Sequence, residues 1–223
     1  MTRGYMDLTQ LQWHWDAFGR SDPLWAILTD PERRGNRWSP AEFFETGRAE
    51  VAGMFERAAT WDLPRQRRRA LDFGCGVGRL TQAMASYVDE AVGVDIAPSM
   101  IQLAKRYNSC GARCTYEVNL APDLGRFFDR QFDIVYTARV LQHIEPRYSE
   151  QYIGELARVL ASGGYLEFDV PSEAGFFPIS PTHQTRSALA YRAALTVLSA
   201  PATLRHGGTG LVRIEVINTG TDT

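Results

Sequence analysis

Two hydrophobic periods divide the chain. Up to about residue 60, apolar positions recur every three or four residues, the spacing of a helix with one buried face. Leu8, Leu11, Trp15 and Phe18 make such a stripe over 7–18. Ser21-Asp22-Pro23 offers a capping side chain and a first-turn proline, predicting a short helix that buries Leu24, Ile27 and Leu28. Ser39-Pro40-Ala41-Glu42 has the form of a capping box. It predicts a helix running to about Ala59, with Phe44, Gly47, Val51, Met54, Phe55 and Ala58 along its inner face. From residue 70 the pattern changes. Short apolar runs at 70–73, 91–95, 115–119, 132–136 and 165–170 alternate with helical stretches near 79–88, 98–107 and 149–160. Strands alternating with helices at this spacing predict a parallel sheet covered on both faces. Two further strand-like runs, 193–198 and 211–218, follow a proline-rich loop at 171–188.

The run Leu71-Asp72-Phe73-Gly74-Cys75-Gly76-Val77-Gly78-Arg79 joins the first strand to its helix. Glycine there lets a ligand approach the main chain, and the helix start presents free N–H groups. A nucleotide-like ligand is therefore expected. The dinucleotide spacing G-x-G-x-x-G/A is broken, because Arg79 occupies its third position. Asp72 lies two residues before the first glycine, where an acid suits a ligand ammonium and repels a pyrophosphate. Asp95 ends the second strand, where a carboxylate can accept from a ribose diol. Together these favour adenosine with an amino-acid tail over NAD.

Composition adds exclusions. The chain has 223 residues, 22% of them charged, and a formal net charge of −2, which gives no reason to expect a nucleic-acid partner. No apolar run is long enough to span a membrane, and the first residues lack the core of a signal peptide. Cys75, Cys110 and Cys114 are odd in number and without zinc spacing, which points to a reducing cytoplasm. The basic run at 65–69 reads as a solvated approach to the first strand.

LDFGCGVGRLTQAMA, VGVDIAPSMIQLAKR, FDIVYTARVLQHIEP and LARVLASGGYLEF together resemble the class I S-adenosylmethionine-dependent methyltransferases over residues 70–170. The resemblance implies a Rossmann-like α/β fold: a mostly parallel seven-stranded sheet of order 3-2-1-4-5-7-6, with helices on both faces. Here residues 1–64 would be an N-terminal helical extension or lid, and 65–223 the methyltransferase domain, completed by a hairpin at about 193–218. The alternative for that hairpin is the start of a truncated immunoglobulin-like domain.

The resemblance also implies a site. Asp72, Gly74, Cys75 and Gly76 would hold the methionine part of S-adenosylmethionine, and Asp95 the ribose. Ile96 and Met100 would pack on the adenine. Asn119 would stand where many family members carry aspartate, and the backbone of Leu120 would meet the ring. Thr137 and Ala138 would lie beside the sulfonium. Arg48 is the candidate cation for the ligand carboxylate. His143 is the candidate general base, because its imidazole titrates near neutrality. A divalent metal is not expected. The weaker alternative is an ion held by His143, Glu145 and Asp169, with His14 and His183 on segments that could cover the pocket. The expected activity is methyl transfer to a small molecule, foremost at a hydroxyl oxygen of a saccharide or secondary metabolite. The alternatives are N- or C-methylation, a non-catalytic binding module, and an NAD-dependent oxidoreductase. No nucleic acid or membrane partner is expected, and the oligomeric state is open, with a homodimer as one option.

Overall fold

A computed structural model describes residues 6–169, together with the strands at 193–199 and 213–218 as backbone alone. The N-terminal third is helical: α1 (Leu8–Ser21), α2 (Pro23–Ile27) and α3 (Pro40–Ala59). The alternating body follows, as β1 (Arg69–Phe73), α4 (Arg79–Met84), β2 (Glu90–Asp95), α5 (Pro98–Tyr107), β3 (Cys114–Val118), β4 (Phe132–Thr137), α6 (Pro146–Val159) and β5 (Leu160–Phe168). The strands form one sheet in the order β3-β2-β1-β4-β5, all pairs parallel. Buried on both faces, β1 and β4 carry near-continuous apolar runs, as a covered parallel sheet requires. One face packs Val51, Met54, Phe55, Met84 and Ile101. The other packs Leu71, Val92, Phe132, Val135 and Leu156.

Among the described residues the sheet has five strands where seven were expected. The last two, β6 (Ala193–Ser199) and β7 (Arg213–Asn218), pair antiparallel with each other in a separate sheet. Alternating apolar residues identify a strand but leave its hydrogen-bonding partner unspecified, since any exposed edge offers the same unpaired groups. The expected loop at 171–188 lies outside the described residues.

Three local expectations are also corrected. The capping box at Ser39 does not form: Ser39 makes no side-chain cap, and Glu42 turns instead to Arg33 at 2.8 Å. The box sits on α1, where Asp7 accepts from the Gln10 N–H and the Gln10 side chain accepts from the Asp7 N–H. On α3 it is Phe43 that is fully buried, while Phe44 meets Tyr107 edge-on. Finally, α4 ends at Met84 because Ser86 and Tyr87 donate three residues back, to Ala83 and Met84, which tightens the chain toward β2.

The N-terminal helices dock on the carboxyl edge of the sheet. Ser99, in the first turn of α5, donates its backbone N–H to the Asp16 carboxylate at 2.7 Å and its hydroxyl to the Asp16 carbonyl at 2.9 Å. A side chain of α1 thus caps α5 from outside. Gly19 permits the approach, since a Cβ there would lie 2.1 Å from Ser99 Oγ. Ala26 and Leu24 of α2 complete the contact against Val77, Ala97 and Met100.

Candidate functional site

The turn after β1 is drawn back onto β2, with Gly74 and Cys75 both donating to the Val94 carbonyl at 2.8 and 3.0 Å. Gly74 and Gly76 have φ of 75° and 53°, in the left-handed region that side chains resist. Space forbids a side chain as well. A Cβ on Gly74 would lie 2.3 Å from Val140 Cγ2, and one on Gly76 2.6 Å from Ile27 Cδ1. The glycines therefore leave main chain, and nothing more, facing the cavity beside them.

That cavity, ≈ 240 Å³, runs along the carboxyl ends of β1, β2 and β4. Asp95 stands on its wall. One of its oxygens accepts the Gly76 N–H at 2.9 Å and the other the Ala97 N–H at 2.8 Å. These two bonds fix the carboxylate, and each oxygen keeps a lone pair for a ligand. Burial pushes its pKa up, against the lowering effect of those N–H groups. Asn119 also lines the cavity, and its Nδ2 donates to the Ala121 and Asp123 carbonyls at 3.2 and 3.0 Å. Both amide hydrogens are thereby used, leaving Oδ1 as its acceptor.

The cavity brings together Gly74, Cys75, Gly76, Asp95, Ile96, Met100, Asn119, Ala138 and His143 from the sequence expectations. Others lie apart. Leu120 is 56% exposed and off the lining. Thr137 is buried behind Ala138, its hydroxyl without a partner among the described residues. Arg48 is exposed on α3, its Nε 2.7 Å from Glu45. Glu145 pairs with Arg147 at 3.0 Å, and Asp169 accepts the Arg139 backbone N–H at 2.7 Å. Among the described residues no three metal-ligating side chains converge. His14 packs edge-on against Phe18 and is off the lining, and His183 lies outside the described residues.

Asp72 sits beneath the turn, 1% exposed, accepting the Thr81 hydroxyl at 2.6 Å. Burial raises its pKa to about 7, opposed by Thr81 and Arg79 and reinforced by Asp95. The folded value thus exceeds the ordinary 3.8. Folding binds the proton, so stability falls as pH rises from about 3.8 to about 7. Asp72→Asn, which removes that charge, should raise the melting temperature at pH 8 by about 2–4 °C for each kcal/mol relieved. At pH 5.5, about midway between 3.8 and 7, roughly half of that gain should remain. Thermal melts at the two pH values check this, and an equal gain at both would mean that charge burial is not the cause.

Several wall residues had no sequence signal pointing to the site. Leu8, Leu11 and Trp15 line the cavity from α1, and Trp15 meets the His143 ring edge-on at 5.2 Å. Their helical spacing marked a buried face without saying what it covers. Arg79 turns away from the sheet toward α3, where it meets Thr46 Oγ1 at 3.2 Å and Glu50 at 2.7 Å. Arg139, just past β4, also reaches Glu50, at 2.6 Å. Glu50, three residues after Gly47 and four before Met54, lies at the edge of the packed stripe and carried no signal of this role.

Comparison with known proteins agrees with the geometry. Residues 70–164 match a family model described as a methyltransferase domain. A ubiquinone biosynthesis O-methyltransferase from Cereibacter sphaeroides is 32% identical over 118 residues, covering 52% of this chain and 47% of the relative. One from Xanthomonas euvesicatoria is 29% identical over 153 residues, covering 68% and 53%. The chain thus spans about half the length of the curated relatives it matches. Among solved structures, phosphoethanolamine N-methyltransferase 1 of Haemonchus contortus, crystallised with S-adenosylhomocysteine, aligns with a TM-score of 0.57 at 16% identity. It covers 72% of this chain and 31% of that one. A Leishmania major S-adenosylmethionine-dependent methyltransferase aligns at 0.52 with 17% identity, covering 73% and 62%. At these identities the two structures bear on the fold alone.

Proposed function

Because residues 70–164 match a family model described as a methyltransferase domain, we propose that this protein is a class I S-adenosylmethionine-dependent methyltransferase that transfers the methyl group of S-adenosylmethionine to a hydroxyl of a small-molecule acceptor. The observation that carries the reading is the paired placement of a side-chain-free turn and a fixed carboxylate. Gly76 gives its N–H to Asp95 while a Cβ on Gly76 has no room, so turn and carboxylate present one continuous face. That face fits an adenosine with an amino-acid tail: Asp95 would accept from the ribose hydroxyls, Ile96 and Met100 would flank the base, and Asn119 Oδ1 would accept from its amino group. Asp72 would supply negative charge beneath the turn. When bound, the sulfonium supplies an electrophilic methyl group.

The remaining work falls to the chain's own residues. They must align the acceptor, keep water out, and remove its proton. The α1 stripe of Leu8, Leu11 and Trp15 excludes water from the cavity. His143 takes the proton. Partial burial pushes its pKa down, opposed by the Asp169 charge, so the imidazole is neutral at pH 7 and can accept. Oxygen is favoured over nitrogen or carbon by this base and by the O-methyltransferase name of the curated relatives. Those relatives lend no support to a saccharide acceptor in particular.

Calorimetry with S-adenosylhomocysteine and with NAD tests the donor. The former should bind at micromolar concentration and the latter not at all, whereas NAD binding alone would overturn the reading. A non-catalytic module would bind the former equally well. Transfer of radiolabelled methyl to any member of a panel of hydroxylated acceptors excludes that alternative.

A further inference from the structure

On the wall that links the glycine turn to the end of β4, one carboxylate is shared by two guanidiniums. Glu50 meets Arg79 at 2.7 Å and Arg139 at 2.6 Å, and its other oxygen accepts the Tyr136 hydroxyl at 3.1 Å. The two arginines pull the Glu50 pKa down against its burial, so it is ionised at neutral pH. Two guanidiniums share the one Glu50 carboxylate, and the further anion that Arg79 feels, Asp72 beneath the turn, has its pKa raised to about 7 and is partly protonated at neutral pH, so the pair keeps a positive bias. Asp169 is nearby, but it is exposed and meets Arg139 through the backbone N–H rather than the guanidinium, so solvent screens its charge in part.

The bias is built into the protein rather than left on its surface. Arg79 is 3% exposed and lines the cavity, yet its Nε–H has no acceptor among the described residues. A buried donor on a charged group is costly to leave unpaired. Arg139 also lines the cavity, and it holds φ at 61°, a conformation that arginine rarely adopts. That conformation is pinned at both ends, by the N–H bond to Asp169 and by the guanidinium bonds to Glu50. Strain retained by surrounding bonds at a cavity wall is characteristic of a recognition element.

We propose that Arg139, positioned by Glu50 and backed by Arg79, is a carboxylate-recognition element, and that the acceptor carries an anionic group. The inference rests on the methyltransferase reading and narrows its acceptor class. Only Nη2 of Arg139 meets Glu50, so its Nε–H and Nη1 donors can still reach a ligand anion, whereas a lysine held by Glu50 would keep fewer and less directional donors. Arg139 directly precedes the segment that carries Val140 and His143 into the cavity, so an anion held there lies on the base's side of the site. Leu8, Leu11 and Trp15 supply an apolar surface for the rest of such a molecule.

Benzoate and benzamide are matched probes, alike in shape and different in charge. With the protein saturated in S-adenosylhomocysteine, calorimetry should show benzoate binding at least tenfold tighter than benzamide. Arg139→Gln should abolish that preference, Arg139→Lys should restore part of it, and both variants should keep S-adenosylhomocysteine affinity within twofold. Circular dichroism confirms that each variant is folded, and Arg139→Lys serves if Arg139→Gln is not. The donor's own tail is the other source of a carboxylate. If Arg139→Gln weakens S-adenosylhomocysteine more than tenfold but leaves 5′-methylthioadenosine unchanged, the element serves the donor and the proposal is wrong. Equal binding of benzoate and benzamide to the unaltered protein also overturns it. Should S-adenosylhomocysteine fail to bind, the function proposed above fails. The benzoate preference is then read on the ligand-free protein, where its presence sustains the anion site and its absence ends it.

Discussion

Asp95→Ala is expected to weaken S-adenosylhomocysteine binding about 100-fold or more, the largest loss in affinity for any single side chain of the cavity. A carboxylate that accepts from two hydroxyls makes two charge-assisted hydrogen bonds, each about 1.5–3 kcal/mol. Their joint loss, at about 1.4 kcal/mol per tenfold, spans roughly two to four decades. The variant has a second effect. Gly76 and Ala97 would lose the acceptors of their N–H groups, so the turn itself would loosen. Asp95→Asn separates the two. Its amide oxygen can still accept one of those N–H groups, but the charge is gone, and a loss of about tenfold is expected. Titration calorimetry of both variants, with melting temperatures alongside, reads the difference. If Asp95→Ala binds S-adenosylhomocysteine as the unaltered protein does, the ligand does not lie on this wall, and the assignment of the glycine turn falls with it.

How much of this arrangement was legible beforehand follows from how local each feature is. The turn is specified within ten residues, because left-handed φ at Gly74 and Gly76 demands glycine wherever the fold is used. Asp95 is equally legible, since a carboxylate ending a strand next to such a turn has few other roles. The order of the five parallel strands came through the resemblance. Connectivity that depends on distant partners was not legible. Whether β6 and β7 join the main sheet is decided by an edge more than twenty residues away in sequence, and alternation along a strand carries no record of it. The same limit hid the arginine cluster. Arg79 was read as an obstruction to dinucleotide packing, and the side chain avoids that conflict by turning to Glu50 on α3. Arg48, next in sequence to the packed Gly47, was the expected cation, but it faces solvent with Glu45. Helical period sorts residues into inner and outer faces. It does not rank two arginines by which one a glutamate on another element will hold.

His143→Ala is expected to lower kcat by about 100-fold with little change in S-adenosylhomocysteine affinity, because a positioned general base contributes roughly two to four decades. The ring stands on the cavity wall against Trp15, in the short turn Leu141–His143, whose N–H bond to the Val140 carbonyl fixes its position relative to β4. The sign of the pH dependence follows from its surroundings. Burial lowers its pKa below the ordinary 6.5, the Asp169 charge opposes this, and His14 reinforces it. The base is therefore active when neutral, and kcat/KM should be flat above neutrality and fall as pH drops through a value below 6.5. Asp72, whose pKa lies at about 7, would produce a separate limb by changing the charge beneath the turn. The two are distinguished by where they act. Protonation of Asp72 should appear in ligand affinity and persist in His143→Ala, while the lower limb should appear in kcat and disappear there. Glutamine at 143 would retain hydrogen-bonding ability without basicity. An activity of His143→Gln close to that of the unaltered protein would therefore show that the side chain orients the acceptor rather than deprotonating it. The methyl acceptor would then be a group that arrives already neutral and nucleophilic, such as an amine.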